Sequence, residues 1–516
     1  MIESGHQYHW LTAYARGRMS GHALDWANQP AFFKNYPVTN TYALPLPDLA
    51  GLSEKSLFGL LRENSSALND SASNPASNFQ PLQRRDIALL LLLTSAPTAK
   101  STFQQGEIWY RSNASAGALH PIEFYLDFSG CDDLPAGLYH YDLLKPALNR
   151  LCCHSCFADS TTLSYDKASA LNADCQSSTL CISAVSNRTA WKYRERAYRY
   201  LLLDCGHALE NLVLALKFKG LSFAIELNFD DSAVNKNMFI DEHREVVLAM
   251  VHFKSKATSS GSYPESSDPP DSEPKLSLKP QDAANDITYS ALHEIHQATS
   301  SSLIIRSESE NSQSELFPEV TNWQNVPGDI FLPESALAYV ETLSRRRSRR
   351  NFTERGTALT SDKIFLLLDL LSKKPATPMM LQPGIIFSAC GIEDFPDGLY
   401  IFDPDRRSYT LLANHDRRSK LAAATLDQRW VANAALQFIF FADLGHVEKE
   451  FGPRSYRYLN IEAGRLGQRL YLGATALNLG CCAVGAFYDR ELAEVCMLPE
   501  NFDPLYLVAV GPVAEK

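Results

Sequence analysis

The stretch from Arg345 to Phe352, RRRSRRNF, sets five arginines in six positions of a chain whose formal net charge is −11. Guanidinium forks match phosphate and carboxylate oxygens two at a time, so the run can hold a compact dianion, with Ser348 adding a hydroxyl donor. A basic helix end on the surface accounts for the same residues equally well. WKYRER places Lys192 beside Tyr193. An amine next to a phenol can serve proton transfer, or it can be a solvated lysine beside a packing tyrosine. RSNASAGALHP, from Arg111 to Pro121, gathers the small residues Ser115, Ala116 and Gly117, and by itself reads as a turn before the strand IEFYL. LCCHSCF brings together Cys152, Cys153, His154 and Cys156. Structural zinc needs a second ligand pair at matching spacing, and only the scattered Cys175 and Cys181 follow, so no metal is expected.

The acidic balance excludes a broad basic field, and with it extended nucleic-acid binding, while leaving room for one local phosphate. The start, MIESGHQYHWL, has no basic segment followed by an apolar core, and the longest apolar run, Ile87 to Leu93, is too short to span a bilayer. A cytoplasmic protein without a membrane partner is expected, its eleven cysteines reduced.

At 516 residues, 45% of them hydrophobic, the chain can form more than one domain. Residues 254–286 hold eight Ser, five Pro and two Leu, the composition of a linker. The segments on either side repeat one another. LPAGLYHYD (Leu134 to Asp142) recurs as FPDGLYIFD (Phe395 to Asp403), offset by 261, and RERAYRYLLLDCGHALENL (Arg194 to Leu212) recurs as GPRSYRYLNIEAGRLGQRL, offset by 258. FDD at Phe229 recurs as FYD at Phe487 with the same 258. Apolar residues at Leu201, Cys205, Ala208, Leu212 and Ala215, and at Leu459, Ala463, Leu466, Leu470 and Ala474, predict two long helices with buried stripes. Gly206 and Gly464 occupy equivalent places in them, where close approach of a neighbouring backbone would explain a residue that weakens helices. EVVLAMVHF and PLYLVAVG read as buried strands. The expected organisation is an N-terminal extension over 1–45, a first α+β domain over 46–253, the linker, and a second domain over 287–516.

With this order of elements, the sequence resembles the nitroreductase superfamily, and within it a tandem form of the SagB/ThcOx-type flavin dehydrogenases. The resemblance rests on LDWANQPAFFKNYP, RSNASAGALHPIEFYL, KYRERAYRYLLLDCGHALENL, RRSRRNF, RSYRYLNIEAG and GCCAVGAFYD. It implies two copies of a helix-flanked mixed or antiparallel sheet domain packed as an intrachain pseudo-dimer, with flavin mononucleotide (FMN) between them. It further implies that Arg346, Arg347, Ser348 and Arg350 hold the FMN phosphate, helped by a nearby helix start. Arg111, Ser115, Ala116 and Gly117 would face the ring, and Val484, Gly485 and Ala486 would pass along it. Lys192 and Tyr193 match the Lys-Tyr pair of azoline-oxidising relatives, which act as base and acid.

The copies diverge in a complementary way. The first half has the Ser/Asn-rich stretch Asn64 to Phe79 where the arginine motif would fall, and AIELNFDD without a glycine in place of AVGAFYD. The second half replaces SAGALHP with LQPGIIFSACG. One composite flavin site per chain follows. The expected function is an FMN-dependent oxidoreductase acting on a small-molecule or peptide substrate. The alternatives are a nitro or quinone reductase fed by NAD(P)H, and a non-catalytic flavin-binding scaffold in a peptide-modifying complex.

Overall fold

The computed structural model describes residues 1–19, 21, 23–36, 40–49, 52, 55–62, 81–103, 106–153, 175–256, 289–300, 321–353, 359–373 and 381–514. Most of the expected linker, the stretch Asn64 to Phe79, and His154 and Cys156 lie outside them.

The architecture is α+β and duplicated. The first seven-stranded sheet runs, edge to edge, Thr41–Ala43, Ala147–Cys152, Gly137–Asp142, Ile122–Phe128, Cys175–Val185, Glu245–Lys256, Phe223–Glu226. The second repeats that order as Gln324–Asn325, Ser408–Ala413, Gly398–Asp403, Gly384–Ala389, Leu436–Ala442, Asp503–Gly511, Gly480–Val484. Every pairing among the described strands is antiparallel, so the mixed alternative is not realised. The expected strands EVVLAMVHF and PLYLVAVG lie in the sheet interiors, where near-continuous apolar runs belong.

The central helices Ala197–Lys219 and Ser455–Ala476 pack against each other between the sheets, buried over almost their whole length. Gly206 and Gly464 mark the crossing. A Cβ on Gly206 would run into the Ile461 carbonyl oxygen and lie 2.8 Å from Gly464 Cα, and one on Gly464 would run into the Leu203 carbonyl oxygen. Only glycine lets the two backbones approach so closely. The core that surrounds them draws on both halves, with Leu201, Leu209 and Leu212 beside Leu459, Leu466 and Leu470.

Two short helices reveal a repeat that sequence reasoning missed. Gly5–Leu11 and Ser290–Ala298 carry the same H-x-x-H-x-x-T spacing, His6 to Thr12 and His293 to Thr299. Each packs against the other copy. His9 Nδ1 lies 3.3 Å from Tyr456 Oη, and His296 Nδ1 lies 3.1 Å from Tyr198 Oη. Behind each helix is a buried ionic node with the same design. Asp489 accepts from Arg196 at 2.8 Å and Arg199 at 2.6 Å; Asp231 accepts from Arg454 and Arg457, both at 2.6 Å. The paired arginines hold both aspartate carboxyls below their ordinary range despite burial. The repeated FDD and FYD segments thus supply the acids, and the start of the other copy's central helix, with the residue just before it, supplies the bases. Residues 1–45 also contribute the edge strand Thr41–Ala43 to the first sheet.

Candidate functional site

The turn after the strand Gly106–Arg111 is shaped by unusual backbone angles: Gly117, Ala118 and His120 have φ of +64°, +55° and +48°. Only glycine tolerates that region freely. A Cβ on Gly117 would lie 3.0 Å from Tyr193 Oη and 3.2 Å from Lys192 Nζ, so the expected proton-transfer pair flanks this glycine. The turn is pinned from below by Asp204 of the first central helix, whose carboxylate accepts from Ser115 Oγ at 2.5 Å and Ala116 N at 3.0 Å.

The opposite wall comes from the second copy. Ser348 runs beside Cys481 in a parallel bridge, and Arg349 N donates to Cys481 O at 2.8 Å, so the arginine run lies extended along the strand Gly480–Val484. Ser348 Oγ lies 2.9 Å from Tyr471 Oη, and the Arg350 guanidinium stands 5.4 Å from the Trp430 ring centroid. Gly485 closes the wall. Its carbonyl accepts from Tyr200 Oη at 3.1 Å and Arg196 Nη2 at 3.2 Å, and a Cβ there would collide with the Tyr200 ring.

One cavity lies between the walls, lined from the first copy by Ala114 to Gly117, Tyr193, Tyr200, Leu203 and Asp204. Ser348, Arg350, Gln428, Tyr471, Cys482 to Ala486 and Tyr506 line it from the second. The expected residues Ser115, Ala116, Gly117, Tyr193, Ser348, Arg350, Val484, Gly485 and Ala486 are therefore brought together across the pseudo-dimer interface.

Residues 114–253 and 402–512 match the nitroreductase family, one match in each copy and each contributing a cavity wall. The chain has a nitroreductase-like fold, duplicated in tandem. It is 36% identical over 121 residues to the nitroreductase-like protein MJ1384 of Methanocaldococcus jannaschii, a match that covers 23% of this chain and 59% of that protein, less than two thirds of its length. It is 26% identical over 238 residues to the microcin B17-processing protein McbC of Escherichia coli, covering 44% of this chain and 85% of McbC. The fold of a nitroreductase-like protein from Anabaena variabilis superposes over 99% of this chain and 100% of that one, with a TM-score of 0.76 at 24% identity.

Three expected cofactor residues, and the expected base Lys192, are not among the residues that line the cavity. Arg111 is fully buried and donates to the carbonyls of Ile122, at 3.1 Å, and Phe32, at 3.0 Å. Burial pulls it down to about 10. Arg346 donates to the carbonyls of Ser112 and Arg111, both at 2.8 Å, and stacks on Tyr471, leaving a buried Nη1 without a partner. Arg347 donates to the carbonyls of Ser344, Arg346 and Thr98. The expected helix start is also absent from this place. The run follows the C-terminal end of Tyr339–Arg345, which presents carbonyls rather than N–H groups, and Arg345 pairs there with Glu341 at 2.6 Å. Arg346 instead ties the two walls together.

The donor set still suits a phosphate-bearing flat ring. Small residues form both walls, and Ser348 and Arg350 present polar heads. Asp204, Tyr200, Gln428, Tyr471 and Tyr506 are cavity residues that sequence reasoning did not single out. Asp204 left a signal: an acid in the midst of the buried stripe LLLDCGHAL. Burial lifts its carboxyl to about 7, against the lowering effect of its two hydrogen bonds. Lys192 is lowered by burial and by the charge of Arg350, and Tyr193 is raised, chiefly by burial.

Among the described residues the pseudo-equivalent place is built from different side chains. Leu227 stands where Gly485 stands in the other copy, its carbonyl accepting from Arg454 Nε at 2.7 Å. Glu462, the counterpart of Asp204, accepts from Arg465 at 2.9 Å, and Arg465 and Arg469 both close on Glu210.

Proposed function

We propose that the chain is an FMN-dependent oxidoreductase of the SagB/ThcOx type with one composite flavin site, working on a peptide azoline. The cavity supports this reading: it collects small-residue walls from both copies, Ser348 and Arg350 on one side and Tyr193 on the other, with Lys192 beside Gly117. FMN bound there supplies the hydride acceptor. Ser348 and Arg350 hold its phosphate, and the backbone of Ser115 to Gly117 and Val484 to Ala486 admits the ring. Lys192, lowered by burial and Arg350, would take the carbon-bound proton at Nζ as the hydride leaves to the cofactor, and the phenol of Tyr193, kept protonated by burial, would position the ring as a hydrogen-bond donor. The kinship with a microcin B17-processing protein supports a peptide substrate.

The purified protein is expected to carry one FMN per chain, read from its visible spectrum. Arg350→Ala removes one charge-assisted contact, an effect of about 1.5–3 kcal/mol, or roughly ten- to a hundredfold in FMN affinity. Two flavins per chain, or none, would refute the composite site. Bleaching by NAD(P)H without azoline oxidation would move the chain to the nitro- or quinone-reductase class.

A further inference from the structure

Asp204 is 2% exposed and forms part of the cavity wall. The buried carboxylates Glu123, Glu210, Asp231 and Asp489 each face an arginine at ion-pair distance, and Glu245 faces Lys34. Among the described residues Asp204 faces no cation at that distance, and its hydrogen bonds come from Ser115 Oγ at 2.5 Å and Ala116 N at 3.0 Å. Ser115 Oγ in turn accepts the His120 N–H at 2.9 Å. A hydroxyl has one proton and two lone pairs. When Asp204 is ionised, the Ser115 proton is donated to it. When Asp204 is protonated, its own O–H takes one Ser115 lone pair and His120 takes the other. The Ser115 proton is then released toward the cavity that Ser115 lines.

We propose that Asp204 and Ser115 form a protonation-controlled hydrogen-bond donor: the acid form turns the Ser115 hydroxyl toward an acceptor on the cavity's occupant, and the ionised form withdraws it. This rests on the flavin reading of the cavity, and Asp204 acts through Ser115 as a positioning residue. Burial puts its titration at about 7, against the lowering effect of its two hydrogen bonds and of Arg111. The groups facing it come from several elements. Tyr193, Tyr200, Tyr471, Tyr506 and Cys482 are all raised, chiefly by burial, and so stay neutral. Arg350 is raised and Arg111, at about 10, also keeps its charge. Lys192, lowered by burial and Arg350, needs its own variant.

The test is FMN affinity, from flavin fluorescence, across about 1.5 pH units on either side of neutrality. The ligand's own phosphate, titrating near about 6, affects all variants alike. Beyond that common change, the wild type is expected to bind about fivefold more tightly on the acid side, the worth of one hydrogen bond. Asp204→Asn keeps the Ala116 bond through its amide oxygen and donates permanently to Ser115. It should hold the acid-side affinity at every pH. Ser115→Ala should hold the alkaline-side affinity at every pH, and Lys192→Gln should keep the step. A step surviving in Asp204→Asn or Ser115→Ala, a step lost in Lys192→Gln, or Asp204→Asn fixed at the alkaline level would overturn the proposal. If the wild type binds no FMN at any pH, the flavin reading fails separately. The exchange is then read from infrared difference spectra of the full chain: a carboxylic acid C=O band must appear on acidification, vanish in Asp204→Asn and shift in Ser115→Ala. Without that behaviour the switch does not exist. If both variants unfold, the proposal stands or falls on whether the wild type shows that band with a midpoint near neutrality.

Discussion

Replacing Gly485 by alanine tests how the second copy's wall is held. A Cβ there would lie 2.9 Å from Tyr200 Cδ1 and closer still to Cε1, whereas carbon atoms rest at about 3.5–4.0 Å. The ring must retreat by about an ångström, or the loop must. Tyr200 has little freedom to do so: its hydroxyl donates to Gly485 O at 3.1 Å and accepts from Arg196 Nε at 3.2 Å, and its ring centroid is 4.3 Å from that of Tyr193. Overpacking of this kind costs about 1–3 kcal/mol, and each hydrogen bond broken adds about 1 kcal/mol. The expected total is about 2–4 kcal/mol of stability, with at least roughly a tenfold loss of FMN affinity as the wall shifts. The assay pairs a urea denaturation midpoint with an FMN titration on the full chain. Leu227→Ala, at the equivalent place in the other copy, is the control. Losing a buried leucine costs about 2–5 kcal/mol, yet FMN affinity should stay at the wild-type level. A Gly485→Ala protein with wild-type midpoint and affinity, or a Leu227→Ala protein that loses flavin, would refute the single composite site.

Lys192→Ala should retain FMN while azoline oxidation slows by about 10²–10⁴-fold, the usual worth of a general base. Because the neutral amine is the base and its pKa lies below 10.5, wild-type turnover should rise as pH increases through that lowered value, and the variant should lose this limb. Unchanged turnover would return Lys192 to the surface. A protease site engineered between residues 257 and 280 should yield two fragments that co-elute with flavin after cleavage, since one core and two buried ionic nodes span the copies. Two separate peaks without flavin would refute the pseudo-dimer as a single folding unit.

The duplication, the two long helices and the glycine crossing were all legible in the sequence. Each is a local or periodic property: a repeat in register, an apolar stripe, a residue whose cost in a helix has one economical explanation. The H-x-x-H-x-x-T repeat was equally present and was missed, because its offset of 287 differs from the 258 of the main repeat. The direction of each polar group was decided only in three dimensions. Five arginines in six positions declare positive charge, but Arg346 and Arg347 are drawn to backbone carbonyls of the other copy, while Arg350 alone of the three reaches the cavity. Arg111 likewise spends its donors on Ile122 and Phe32. Asp204 could be recognised as an acid in an apolar helix, but its lack of a cationic partner depends on which residues fold around it. Sequence spacing determines which face of an element a side chain occupies; packing between the two copies determines what that side chain meets there.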